Sequence, residues 1–144
     1  MGHTFHRLYY HIVWATHARD PHIHRSFRAK LPNILDKEVQ SRHGHPIRHN
    51  AMPDHVHLLV RLRPTTALSE FIGQVKGATA FRVNRDLHPK FKLRWQEGYG
   101  ALTLREDDLE KVCHYIDRQE EHHRAGRLSA LLECIEIESA ETFP

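Results

Sequence analysis

Cysteine is scarce: Cys113 and Cys134 are the only two in 144 residues. Neither stands in a Cys/His spacing that would build a zinc site, and the pair demands no disulfide, so a reducing, cytoplasmic setting is expected. No apolar run approaches the roughly 20 residues that a membrane helix needs, and no signal peptide is expected. Internal repeats, low-complexity tracts and a linker are absent too. What is left is one domain of ordinary size, residues 1–144, able to bury a single core, with a frayed tail expected from about residue 137.

Charge of one sign is in small excess only. Lysine and arginine total 21 against 18 acidic residues, a formal charge of +3. Distribution is more telling: Arg61, Arg63, Lys76, Arg82, Arg85, Lys90, Lys92 and Arg94 crowd the middle, whereas Glu133, Glu136, Glu138 and Glu141 load the end. A basic middle suits a phosphate backbone. Solvated faces of a strand and a helix would give the same composition.

Fifteen histidines are present. His17, His22 and His24 form a loose group without a matched ligand spacing. His55-Val56-His57 is different. It leads into an apolar stretch and reads as a strand, in which alternate side chains share a face with Cα atoms about 6.5–7 Å apart. Two imidazoles then lean toward one point, which is half of a metal site, while Val56, Leu58, Val60 and Leu62 form the opposite, apolar face. A strand with one buried face and two incidental polar residues would show the same pattern.

The second candidate group lies on a predicted helix over residues 107–119. Leu109, Val112, Cys113 and Ile116 make its core stripe, and Tyr115 and Gln119, four apart, share a neighbouring stripe outside the buried one. A tyrosine in that place is often a half-buried packing residue. Together, however, a phenol, a carboxamide oxygen and two imidazoles are a workable kit for attacking a phosphodiester. His55, His57 and Gln119 would fill three positions of an octahedral Mg²⁺ or Mn²⁺, imidazole favouring Mn²⁺, with room left for substrate oxygen. A bound cation neutralises charge in the transition state, help that a phenol of ordinary pKa about 10 needs.

The remaining periodicity predicts alternating elements. Arg7–Thr16 reads as a strand with Leu8, Tyr10, Ile12 and Trp14 on one side, and Ser26–Arg42 as a helix with Pro32 in its first turn or at a kink. His45–Met52 is a second strand, turned at Pro53-Asp54 into the His55 strand; a long helix starts after Pro64-Thr65-Thr66, and Tyr99–Leu104 is a fourth strand. Glu106, Asp107 and Asp108 place negative charge at the start of the next helix, where its dipole favours it. A last helix is expected near Leu128–Ile135. The order βαββαβ is an α+β, ferredoxin-like arrangement: an antiparallel sheet with helices on one face, the first and third strands central, and extra C-terminal helices carrying the tyrosine. The helix-free face should then open toward a ligand. Gly77 beside Lys76 weakens a helix by about 1 kcal/mol relative to alanine, a cost that close approach of another backbone or a nucleic acid would justify. Tyr10, Phe91, Trp95 and Tyr99 are candidates for stacking on unpaired bases, at least two of them expected to be core instead.

Several segments in this order resemble the single-tyrosine transposases of the insertion sequence 200/605 type, including relatives associated with repetitive extragenic palindromes. The resemblance runs from Tyr10-His11-Ile12-Val13-Trp14 through Met52-Pro53-Asp54-His55-Val56-His57-Leu58-Leu59-Val60, Val75-Lys76-Gly77 and Trp95-Gln96-Glu97-Gly98-Tyr99-Gly100 to Tyr115-Ile116-Asp117-Arg118-Gln119. It implies His55, His57 and Gln119 as metal ligands and Tyr115 as a nucleophile that cuts single-stranded DNA at hairpin-flanked ends, forms a 5′-phosphotyrosine and later rejoins the strand. It also implies a homodimer, commonly with the tyrosine helix of one subunit completing the partner's His-His site. Lys76, Arg61, Arg82 and Arg85 become candidate DNA contacts, and His122 and His123, just past Gln119, lie near the site in sequence. A silent or host-retained palindrome-binding relative, an RNA-recognition-type module and a hydrolytic nuclease are the alternatives. The third strand argues against the RNA module, since it carries two histidines where paired aromatics would stand.

Overall fold

Four strands form one antiparallel sheet: β1 (Tyr9–Ala15), β2 (His45–Met52), β3 (His55–Arg61) and β4 (Gly100–Leu104), in the order β2-β3-β1-β4. They belong to a computed structural model that describes residues 2–119. The two central strands are β3 and β1, as the βαββαβ order predicts. The expected last helix, the tail, Cys134, His122 and His123 lie outside the described residues.

One face of the sheet holds the main core. Ile12 and Trp14 of β1 and Val56, Leu58 and Val60 of β3 are all buried there, against Leu31, Leu35 and Val39 of α2 (Leu31–Ser41) and Phe71, Ile72, Val75 and Val83 of α3 (Leu68–Asp86). Period-2 alternation in β1 and β3 meets an apolar stripe on each helix. The predicted single helix over Ser26–Arg42 is in fact two, α1 (Arg25–Arg28) and α2. Pro32 explains the break, because it lacks an N–H and sits within the first turn of α2, where that donor is not needed. At its other end α2 closes on a left-handed residue, His43 (φ 64°), with His43 N–H donating to Gln40 O and Gly44 N–H to Val39 O. Glycine is required at 44 because a Cβ there would stand 2.8 Å from Val39 Cγ1.

The segment between α3 and β4 has little regular structure, yet it is pinned. Asn84 clasps Leu93 through both amide groups (2.8 and 2.9 Å), Trp95 Nε1 donates to Lys76 O, and Trp95 bridges to Thr16 beside β1. Tyr10, Trp95 and Tyr99 pack on the core, and Phe91 is exposed.

The opposite face is not open. A 3₁₀ turn over Glu106–Asp108 leads into α4 (Leu109–Asp117), which lays Val112 and Ile116 on Leu59 of β3, flanked by Ile47, Leu104, Leu109 and Cys113. The predicted stripe of this helix is correct, and it is the reason the face is covered: four apolar side chains at helical spacing find their partners on the sheet. Helices therefore flank both faces, with α4 on the second among the described residues.

Candidate active site

The covered face carries the candidate residues. His55 and His57 project from β3 on the side away from the main core, and both are fully buried. Their ring centroids are 5.0 Å apart with planes at 74°, an edge-to-face pair rather than a stack. His55 Nδ1 donates to Asp54 Oδ1 at 2.7 Å. With the proton on Nδ1, the lone pair of His55 is on Nε2, the nitrogen a metal needs. The hydrogen bond from His55 is the largest influence on the Asp54 carboxyl; together with Arg19 it overcomes burial and holds the group at about 2. Arg19 Nε reaches the other oxygen, Oδ2, at 3.3 Å, so the carboxylate is fixed at both ends.

Tyr115 is brought to the same place by α4 of the same chain. Its ring is 6.0 Å from that of His57, centroid to centroid, at 75°. The last turn of the helix is tied to the sheet by Asn50, whose Nδ2 donates to Ile116 O at 2.8 Å. Asn50 faces His57 across the β2–β3 pair, so one strand position anchors the helix beside the histidine.

Gln119 differs from expectation. The helical pattern predicts an unburied stripe for it and Tyr115, but Gln119 is fully buried while Tyr115 is half-buried. The reason is local: α4 ends at Asp117, and the chain is no longer on a straight helical path two residues later. Gln119 Nε2 donates to Tyr115 O at 3.2 Å, which leaves Oε1 as the metal-type atom of that carboxamide.

Imidazole and carboxamide donors on a buried face, with one imidazole held in the ligating tautomer, fit a divalent cation of the Mn²⁺ or Mg²⁺ kind. Among the described residues no three His, Cys, Asp or Glu side chains converge as a metal-binding group. The loose group of His17, His22 and His24 does not gather. His24 accepts from Ser26 N–H at the start of α1, and His22 stacks on Phe91.

The basic candidates are dispersed. Arg82 Nη1 is 2.9 Å from Glu38 Oε1, Arg85 pairs with Asp86, and Arg61 Nη2 donates to His6 O. Lys76 Nζ donates to the carbonyls of Gln96 (2.9 Å) and Gly98 (2.7 Å). Burial pushes its ammonium below the ordinary value, with the Glu97 charge opposing. Gly77 has nothing within 4 Å of where a Cβ would stand, so no described backbone uses it for close approach.

A buried histidine pair on a central strand with a tyrosine helix laid across it defines a tyrosine-histidine centre in a ferredoxin-like sheet. The family model for IS200-like transposases matches residues 4–119, and the chain belongs to that family. It is similar to the ISDra2 transposase TnpA of Deinococcus radiodurans (30% identity over 120 residues, 78% of this chain and 84% of that one). The IS200 transposase of Salmonella typhimurium is 28% identical over 131 residues, covering 88% and 86% of the two chains. Among solved structures, a Deinococcus radiodurans protein described as a transposase superposes with a TM-score of 0.64 at 27% identity, over 83% of this chain and 96% of that one. A REP-associated tyrosine transposase bound to a REP hairpin shares the fold, with a TM-score of 0.59 at 13% identity over 89% and 76% of the chains. Membership places the protein among DNA-cleaving and rejoining enzymes, and no helix among the described residues is long and apolar enough to cross a membrane.

Proposed function

We propose that this transposase cuts and rejoins single-stranded DNA at hairpin-flanked ends through a 5′-phosphotyrosine on Tyr115, with Mg²⁺ or Mn²⁺ held by His55, His57 and Gln119. The observation that carries this reading is the Tyr115 ring lying 6.0 Å from His57 on the face that also holds His55. Tyr115 Oη forms a bond to phosphorus as the P–O3′ bond breaks; the phenol loses its proton and the departing 3′ oxygen gains one. No water is consumed, so the phosphodiester's free energy stays in the tyrosine ester until a 3′-OH reverses the exchange. The cation, when bound, supplies charge neutralisation at the phosphoryl oxygens and orients the scissile bond. Asp54 orients His55, and Asn50 holds the tyrosine turn in place. Of the four cationic candidates, Arg61 lines one cavity at the sheet end together with Arg63, His6, His43 and His45, a place suited to phosphate.

The test mixes the protein with labelled single-stranded palindromic DNA and Mn²⁺ and reads a denaturing gel for a covalent protein–DNA band, beside Tyr115→Phe and His57→Ala. A metal-dependent band absent from both variants is expected. Cleavage without an adduct would make the protein a hydrolytic nuclease, and binding without cleavage a silent palindrome-binding relative.

A further inference from the structure

A third imidazole lies in this site that neither strand spacing nor the helix pattern singles out. His11, on β1, is 1% exposed, and its Nε2 is 2.9 Å from Nδ1 of His57. The rings lie nearly parallel, 15° apart, with centroids at 5.1 Å. Sheet register explains the meeting: Val13 is directly opposite His57 and His11 directly opposite Leu59, so His11 and His57 are diagonal neighbours on one face. Diagonal positions in an antiparallel pair are within reach of long side chains.

We propose that His11 is a positioning residue that sets the tautomer of His57 and thereby its capacity to ligate the cation. This rests on the reading of His57 as a ligand. Two imidazole nitrogens at 2.9 Å share one proton. If His57 Nδ1–H donates to His11 Nε2, the lone pair of His57 is on Nε2 and can be given to a cation. If His11 donates instead, the His57 proton sits on Nε2 and ligation there is blocked. A cation therefore selects the first arrangement, and a side chain at position 11 that accepts from Nδ1–H favours the cation. The site then has a consistent plan: each ligand histidine gives its Nδ1–H to a partner, a carboxylate for His55 and a neutral imidazole for His57. An imidazole is the suitable partner on β1, because a second carboxylate at a fully buried position would cost several kcal/mol to desolvate.

The experiment titrates the full chain with Mn²⁺ alone and follows free Mn²⁺ by electron paramagnetic resonance, using wild type, His57→Ala, His11→Leu and His11→Asn, with the thermal midpoint of each metal-free protein. His11→Leu keeps bulk and removes the acceptor, so Mn²⁺ affinity should fall about 10–100-fold in protein that the metal-free midpoint shows to be folded. His11→Asn, which can accept, should recover much of that loss. Nitrogen-15 spectra of the wild-type imidazoles give a readout independent of any variant, and His57 should carry its proton on Nδ1 in the Mg²⁺-loaded protein. Wild-type Mn²⁺ affinity in folded His11→Leu, or a proton on Nε2 of His57, would overturn the proposal. Undiminished Mn²⁺ binding in His57→Ala would instead remove the metal reading on which it rests.

Discussion

At the scale of single residues, the site depends on groups that give the proposed ligands their orientation. Asp54 stands immediately before His55 in sequence and holds its Nδ1–H at 2.7 Å, with Arg19 on the other oxygen. Asp54→Ala should weaken Mn²⁺ binding about 10–100-fold, measured by the same titration, because partners of ligand histidines typically contribute that much. Unchanged affinity would mean that the sheet alone orients His55. His55, His57 and Tyr115 were legible in the sequence because their spacing has a period, 2 for the strand and 3.6 for the helix. His11 was legible only as part of a resemblance, since its relation to His57 is a matter of register between strands 46 positions apart. Gln119 was read on an unburied helix stripe and is fully buried, beyond the point where α4 ends.

Elements were easier to read than the joints between them. The four strands and α3 fall where alternation and helical stripes put them, whereas the break between α1 and α2 turns on one proline. Packing between α2 and α3 rests partly on a feature no pattern reveals: Glu38 accepts from Arg42 at 2.7 Å on its own helix and from Arg82 at 2.9 Å on the next. This accounts for Arg82 as a clamp. Burial pushes the Glu38 carboxyl up, but the two guanidiniums outweigh it and hold the group below its ordinary 4.5. A carboxyl depressed in the folded state contributes stability above its unfolded value and loses it as pH falls through the folded one. Stability from this clamp should thus be complete at neutral pH and decline on acidification below about 4.5. Glu38→Gln should cost about 1–2 kcal/mol in urea unfolding at pH 7 and show a smaller difference from wild type at pH 3. An equal difference at both values would mean that the carboxylate charge contributes nothing.

For the molecule as a whole, the decisive feature is that the tyrosine helix lies on its own sheet. Family resemblance implies a homodimer in which one subunit's helix commonly completes the partner's site. In this structure Val112 and Ile116 pack on Leu59 of the same chain, Asn50 bonds Ile116 O, and the Tyr115 ring is 6.0 Å from His57. These three contacts hold the helix on its own sheet, and exchanging it between subunits would require releasing all of them together. Complementation separates the two arrangements. Tyr115→Phe keeps an intact histidine pair, His57→Ala keeps an intact tyrosine, and neither should form an adduct alone. If sites are completed within one chain, co-refolding the two variants still places every tyrosine beside a defective site or every good site beside a phenylalanine, so no covalent band should form. If helices are exchanged, about half of the subunits in a statistical mixture have a partner of the other type, and each such pair regains one complete site. A band of substantial intensity in the mixture would therefore establish exchange, and its absence beside an active wild-type control would establish that each chain cuts with its own tyrosine.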